Sequence, residues 1–349
     1  MFELNKLIRD NIKDLVPYSS ARNEYRGKEA LFLDANENPY NAPYNRYPDP
    51  LQVELKDEIA RIKNVKPEQI FLGNGSDEAI DLIFRIFCVP GKDNIITIDP
   101  TYDMYKVCAN INNIDVKKVA LLEDFSLPVK EIIENINPNT KLIFICSPNN
   151  PTSNCFTQDN ITEIIKSFNG LVVLDEAYID FAPGKSLLPK LSNFPNLIIL
   201  QTFSKAWGMA GIRLGMAFAT KHIITLMNSV KYPYNVNSLS MAIALKNIKN
   251  IKKKDEWVEK ILIEKENLRI ALRSLNIVEK VLHSDSNFLM AKFSNPKKIY
   301  KYLIDKKIIV RDRSNAKLCD GFLRITVGTQ AENLLLISAL RDYQNNLNE

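Results

Sequence analysis

Residues 197–215 read LIILQTFSKAWGMAGIRLG. The opening LIIL is an unbroken apolar block, as a strand covered on both faces requires. Lys205 follows almost at once, beside Ser204, with Arg213 further along the same stretch. Most lysines lie on the surface. One at the end of a core strand is a candidate Schiff-base amine, because a sheltered amine beside other cations loses its proton more easily. Ser204 and Arg213 are suited to hold a phosphate next to it.

Working outward, similar strand-like blocks stand at 95–98, 116–120, 142–146, 171–174 and 214–219. Amphipathic helical patterns occupy 52–62, 77–87, 102–112 and 161–168. This alternation predicts an α/β domain with a mainly parallel sheet. Residues 236–274 read as long helices. The remainder reads as a small α+β unit, with strands at 288–293, 308–310 and 322–327, a helix near 298–305 and a terminal helix. The first 45 or so residues read as a helix and then loop, rich in Asn, Pro and Tyr. The expected division is an N-terminal arm or small-domain segment (1–45), a large domain (46–250) and a C-terminal small domain (251–349). No internal repeat is visible.

Composition narrows the function. The chain has 349 residues, 46% hydrophobic and 25% charged, with a net charge of +5. Disorder, fibres and low-complexity arrays are excluded. A chain this long buries about 75% of its unfolded surface and needs no disulfide or metal staple. No apolar run approaches the ~18 residues of a membrane span, and MFELNKLIRD at the start has no signal-peptide core, so a cytoplasmic protein is expected. Cys88, Cys108, Cys146, Cys155 and Cys319 are odd in number and scattered, as small buried hydrophobes in a reducing compartment are. His222 and His283 have no ligand-spaced partners, so no metal site and no Ser-His-Asp triad is expected. The basic run KNIKNIKKK (246–254) lies in a helical pattern and reads as a solvated face, not a nucleic-acid surface.

Ligands of open parallel sheets bind outside the carboxyl ends of the strands. After Phe71 and Leu72 comes GNGSDEAI (73–80). Its glycines permit a tight turn, and the following helix start favours an anion. A capped turn without ligand fits as well. A dinucleotide fingerprint does not, because the third glycine is missing. After 171–174 comes DEAYIDF (175–181). Asp175 reads either as a helix cap or ion pair, or as a fixed anion facing a ligand's positive nitrogen. Tyr178 is within reach of the same ligand.

These segments, together with LVPYSSAR (15–22), LDANENPY (33–40), NRYPDP (45–50), DPTYDMY (99–105), SPNNPTSN (147–154) and FLRITVGT (322–329), resemble the fold-type-I pyridoxal-phosphate aminotransferases, and among them the histidinol-phosphate branch. The resemblance spans nearly the whole chain. It implies a large domain with a mostly parallel seven-stranded sheet, and a smaller α+β domain built from N- and C-terminal segments. It also implies pyridoxal 5′-phosphate as cofactor. Lys205 would hold it as an imine and shuttle the proton between substrate α-carbon and C4′. Asp175 would keep the pyridine nitrogen protonated. Tyr178 and Asn150 would bond the ring's O3′, and Tyr102 would stack on its face. Gly75, Ser76, Asp77, Ser204 and Arg213 would surround the phosphate, with Thr202 as a further contact. Tyr47 matches a tyrosine that reaches the partner subunit's cofactor, which implies a homodimer. Tyr18, Arg311 and Arg324 match residues gathered around the substrate's phosphate, with Arg324 also taking an amino-acid carboxylate. Asn36 and Glu37 match a loop at the site entrance. Arg313 is expected at the surface.

The implied reaction is reversible amino transfer between L-histidinol phosphate and 2-oxoglutarate, giving imidazole-acetol phosphate and L-glutamate in histidine biosynthesis (EC 2.6.1.9). Aromatic aminotransferases and a threonine-phosphate decarboxylase share much of the motif set. Tyr18 with Arg311 and Arg324 favours a phosphate-bearing substrate over a plain aromatic amino acid. One departure stands out. Ser153 occupies a position where the family commonly has Gly, in a turn conformation easiest for glycine.

Overall fold

The computed structural model describes residues 2–18 and 31–346. Residues 19–22 of the LVPYSSAR motif lie outside the described residues. The elements run α1 (Asp10–Lys13), α2 (Val53–Lys63), β1 (Ile70–Asn74), α3 (Gly75–Phe87), β2 (Asn94–Asp99), α4 (Met104–Ile111), β3 (Asp115–Ala120), α5 (Val129–Glu134), β4 (Thr140–Cys146) and α6 (Gln158–Ser167). They continue with β5 (Leu171–Asp175), β6 (Leu197–Thr202), β7 (Leu214–Phe218), α7 (Lys221–Val230), α8 (Ser238–Ile248) and α9 (Ile251–Arg273). The last are β8 (Val278–Val281), β9 (Phe288–Phe293), α10 (Pro296–Asp305), β10 (Arg311–Asp312), β11 (Phe322–Thr326) and α11 (Gln330–Asn345).

The apolar blocks form a seven-stranded sheet in the order β1-β7-β6-β5-β4-β2-β3. Strands β2 to β6 run parallel, and β7 is antiparallel to both its neighbours. The central strands β5 and β6 are buried at every position, which is why they read as continuous apolar runs. The edge strand β3 is mostly open to solvent. The direction of winding switches between β2 and β4: β3 lies outside β2, while β5 and β6 follow on from β4. Such a switch opens a crevice at the strand ends. The loops carrying Tyr102 and Asn150 follow these two strands.

Two apolar layers cover the sheet. One joins α2, α6 and α8 to it, the other α3, α4 and α7. Phe2, Leu4, Leu7, Ile8 and Ile12 pack into the second layer rather than on the smaller sheet. The Arg9 N–H donates to the Ile86 carbonyl at 3.0 Å, docking the N-terminal segment on α3.

The smaller sheet is antiparallel, in the order β10-β11-β9-β8, with its own core against α9, α10 and α11. The apolar run 308–310 is not a strand. Lys307 turns the chain at φ +61°, Ile308 and Val310 pack partly into this core, and ladder pairing starts only at Arg311. The helix expected at 102–112 starts at Met104, leaving Tyr102 free to face the crevice. The short helix α5 carries no long apolar periodicity and escaped the sequence reading.

No helix among the described residues is long and apolar enough to cross a membrane. Nor do they contain a cluster of three or more potential metal ligands.

Candidate active site

A cleft at the carboxyl ends of the parallel strands is lined by Gly75, Ser76, Asp77, Tyr102, Asn150, Asp175, Tyr178, Thr202, Ser204, Lys205 and Arg213, with Cys146 and Ala177. Eleven of these were singled out from the sequence, and the fold brings them together.

Lys205 follows β6 after a three-residue turn. The turn is held by the Ser204 N–H donating to Thr202 Oγ1 at 3.1 Å, while Thr202 Oγ1 donates to the Leu214 carbonyl at 3.3 Å. Thr202 thus shapes the loop. Lys205 Nζ lies 5.3 Å from the centre of the Tyr178 ring. Burial, then the charges of Arg324 and Arg213, push the amine below the ordinary lysine range, and Asp175 opposes them. A neutral amine is therefore more accessible here than on a surface.

Asp175 ends β5 and is only 2% exposed. Its Oδ2 accepts from the Tyr105 hydroxyl at 2.6 Å and its Oδ1 from the Ala177 N–H at 3.0 Å. Burial raises its pKa, against those two donors. A desolvated carboxylate at the mouth of a cleft is a strong partner for a ligand cation. Tyr105 was missed in the sequence. The available signal was its spacing of three from Tyr102 on one helix face; the two rings meet edge to face at 5.5 Å. Burial and Asp175 push the Tyr105 phenol well above its usual range, so it stays a donor.

The anion end is built from backbone. Gly75 has φ +73°, and a Cβ there would come within 2.6 Å of Arg213 Nη2. Its N–H donates to the Arg213 carbonyl at 2.8 Å. A Cβ on Gly215 would stand 2.1 Å from the Ser76 nitrogen, so β7 is pressed directly onto the start of α3. Backbone contact demands glycine at 215, and the left-handed φ favours it at 75, where the tip of Arg213 could move aside. Arg213 donates to Ser204 Oγ at 3.3 Å and pairs with Asp77 at 3.5 Å, and Tyr102 donates to Asp77 at 3.2 Å. A cradle of free helix-start N–H groups, a serine and an arginine is the donor set a phosphate takes.

Across the cleft, the β4 loop is tied to the β2 loop. Asn149 donates to the Pro100 carbonyl at 3.0 Å and accepts from Thr101 at 2.9 Å. Asn149, fully buried, was also missed. Asn150 Oδ1 accepts from Arg324 Nη1. Arg324 also lies over the Phe288 ring at 5.3 Å. Ser153 takes the left-handed conformation at φ +68°. Its hydroxyl has bonds of 2.6 Å to the Thr152 carbonyl and 3.0 Å to the His283 carbonyl. Here a serine fills a glycine-type turn and ties it to the segment leading into β9.

Not every expected residue enters this cleft. Arg311 is directly opposite Arg324 in the β10–β11 ladder and is exposed. Tyr18 is 70% exposed. Asn36, Glu37 and Tyr47 line a second cleft with Tyr234. There, Tyr47 stacks on Tyr234 at 4.5 Å, and Glu37 accepts from the Tyr47 N–H and from Arg46. Arg313 is not a surface residue: its side chain is 14% exposed and pairs with Asp103.

The chain was compared with known proteins. Residues 21–340 match the model of the family described as aminotransferase class I and II. The histidinol-phosphate aminotransferase of Cytophaga hutchinsonii is 50% identical over 346 residues, covering 98% of this chain and 99% of that one. The structure of the histidinol-phosphate aminotransferase from Clostridium acetobutylicum superimposes with a TM-score of 0.80 at 25% identity, covering 87% of this chain and 92% of that one. The Sinorhizobium meliloti histidinol-phosphate aminotransferase, solved in complex with pyridoxal-5′-phosphate, has the same fold, with a TM-score of 0.79 at 22% identity over 86% of this chain and 83% of that one.

Proposed function

This chain belongs to the class I and II aminotransferase family, and we propose that its strand-end cleft binds pyridoxal 5′-phosphate and transfers the amino group of L-histidinol phosphate to 2-oxoglutarate. The products are imidazole-acetol phosphate and L-glutamate. The reaction is a step of histidine biosynthesis and is reversible. The single observation that carries this reading is the opposition, within one cleft, of a buried Asp175 and a half-buried Lys205 of lowered basicity. The half-identical relative's name supports the substrate over a plain aromatic amino acid or threonine phosphate.

The residues fit the cofactor. The left-handed Gly75 turn, with a guanidinium tip against its Cα, suits its phosphate together with Ser76, Ser204 and Arg213. When bound, the cofactor supplies an aldehyde carbon that captures amines and a ring that accepts electrons. Everything else falls to the chain. Asp175 holds a proton on the pyridine nitrogen, and Tyr105 keeps that carboxylate oriented. Lys205 carries the cofactor and, once its amine is free, moves the proton at the substrate's α-carbon. Tyr102 covers one ring face. Tyr178 and Asn150 donate toward the ring's O3′. Arg324 with Arg311 takes the substrate's phosphate or the carboxylate of glutamate, since a guanidinium fork suits either anion. Tyr18 and Asn36, which line no part of the cleft in the single chain, are read as entrance residues on the strength of the family motif.

The enzyme is read as a homodimer in which Tyr47 reaches the partner's cofactor phosphate. Its support is that two exposed aromatic side chains, Tyr44 and Tyr47, line the second cleft, and that Tyr232 and Leu239, next in sequence to lining residues, are exposed as well. The division into segments 1–45, 46–250 and 251–349 is kept as a working description. Five free cysteines suit a cytoplasmic location.

The test is a half-reaction followed by visible absorbance. L-Histidinol phosphate is expected to convert the cofactor to its pyridoxamine form at lower concentration than phenylalanine or threonine phosphate. Equal conversion by phenylalanine would overturn the substrate assignment. No conversion by any amine would overturn the catalytic reading of Lys205.

A further inference from the structure

Arg311, Arg313 and Arg324 form an unusual group. Arg311 and Arg324 are direct cross-strand partners. Arg313 stands two residues beyond Arg311, with its N–H donating to the Phe322 carbonyl at 3.0 Å. Side chains two apart along an extended strand share a face. Three guanidinium groups therefore crowd one side of the ladder, an arrangement of like charges that disfavours pairing unless anions answer it.

Two of the three have partners within the chain, of which one is an anion. Arg324 is held by Asn150 and the Phe288 ring. Arg313 reaches back to the large sheet, where its Nη1 donates to Asp103 Oδ2 at 3.0 Å. Asp103 stands at the N-cap of α4, where a carboxylate ordinarily accepts a bond from the helix's own first turn. It makes no such bond. Its carboxylate is turned outward to Arg313 instead. Arg313 in turn is largely buried and leaves its Nε without a partner among the described residues. Both residues thus forgo ordinary local bonds for this contact. Asp103 directly follows Tyr102, whose hydroxyl is anchored on Asp77 and whose ring abuts Tyr105.

We propose that Arg313 is a positioning residue: through Asp103 it ties the strand pair carrying Arg311 and Arg324 to the loop carrying Tyr102. The substrate's anion site and the face that covers the cofactor ring are thereby held at one separation. This rests on the reading that Arg311 and Arg324 take the anion and Tyr102 the ring. Asp103 is mostly exposed, so the effect is moderate.

The test uses the holoenzymes of Arg313→Gln, Asp103→Asn and the double variant. KM for histidinol phosphate and for glutamate is expected to rise about fivefold in each single variant, with kcat within about twofold of wild type. The double variant is expected to be no worse than either single one, because both break one contact. The dissociation constant of pyridoxal phosphate, measured on dialysed protein, is expected to rise by the same factor in both singles, which reads Tyr102 without any turnover. Three results would overturn the proposal. If Asp103→Asn lowers KM while Arg313→Gln raises it, Arg313 touches the anion itself and Asp103 only restrains it. If the two effects add in full, the residues act separately. If the melting temperature falls while KM and cofactor affinity stay put, the pair is merely structural. Failure of wild type to use histidinol phosphate would instead sink the substrate assignment, and the glutamate and cofactor arms would still decide the role of Arg313.

Discussion

The two clefts of this protein are built on opposite principles. The first is lined by residues at strand ends and in the short turns after them, all but Arg213 buried or half-buried: Asp175 at the end of β5, Lys205 after β6, Gly75 at the start of α3. The second is lined by loop residues, among them Asn36, Arg46, Tyr47 and Tyr234, and Tyr47 is half exposed. Where a hydrogen-bonded ladder delivers a side chain, its position follows from register and pleat. Where a loop delivers it, another surface must complete the placement. The first cleft draws its lining amine, carboxylates and arginine from one chain. The second, on our reading, is half of a site shared with a partner.

The largest expected effect breaks this comparison at the first cleft. Lys205→Ala is expected to lower kcat/KM by about four orders of magnitude, because no other amine among the described residues lines that cleft. Steady-state assays read this, and a loss below tenfold would mean the chemistry lies elsewhere.

Asp175→Asn is expected to lower kcat by about two to three orders of magnitude, as the ring loses the anion that holds its proton. The same change is expected to stabilise the cofactor-free protein by about 1 kcal/mol at neutral pH, since a desolvated charge is removed and the Tyr105 bond can persist. The sign follows from the pKa. Burial raises that of Asp175 in the folded state, so its ionisation destabilises the fold as pH rises through that value. Urea titrations should show the gap between the two proteins closing toward acid pH. A gap that widens toward acid would contradict the burial argument.

A third experiment sharpens the contrast at the second cleft. Tyr47→Phe is expected to weaken cofactor retention about tenfold. Mixing it with Lys205→Ala should produce hybrids with one intact site, in which Tyr47 comes from one subunit and Lys205 from the other. Activity of the mixture above the sum of its parents is expected. Its absence would confine Tyr47 to its own chain.

The smallest effect concerns Ser153. Glycine there would relieve a left-handed serine, a gain of about 1 kcal/mol. It would also lose the hydroxyl's one donated bond, shared between the Thr152 and His283 carbonyls and contributing about 0.5–1.5 kcal/mol, and would add about 0.4–1 kcal/mol of unfolded-chain entropy. We expect Ser153→Gly to be less stable by about 1 kcal/mol in urea titrations. A more stable variant would mean that strain outweighs the tie.

Much of this was legible in the sequence because it is local. Lys205 follows β6 within three residues, Asp175 closes β5, and the glycines of GNGSDEAI sit at a strand-to-helix turn. Local propensity and burial pattern decide such placements. By themselves they determined the α/β alternation, the buried central strands and the placement of Lys205, Asp175 and the Gly75 turn, while Tyr102 and Asn150 were reached only through the family resemblance. What only the tertiary structure decided depends on contacts between distant segments. Tyr105 became the partner of Asp175 because its ring stacks on Phe144 of β4, which carries the hydroxyl to the end of β5. Asn149 became the tie between two loops. Arg313 left the surface because Asp103, 210 residues away, answers its charge. The apolar run 308–310 lost its ladder to a turn at Lys307. Sequence spacing carries no information about which remote segment will face a given side chain. Pairing of that kind is set by how the two sheets pack together, and it is there that the cleft acquires its orientation.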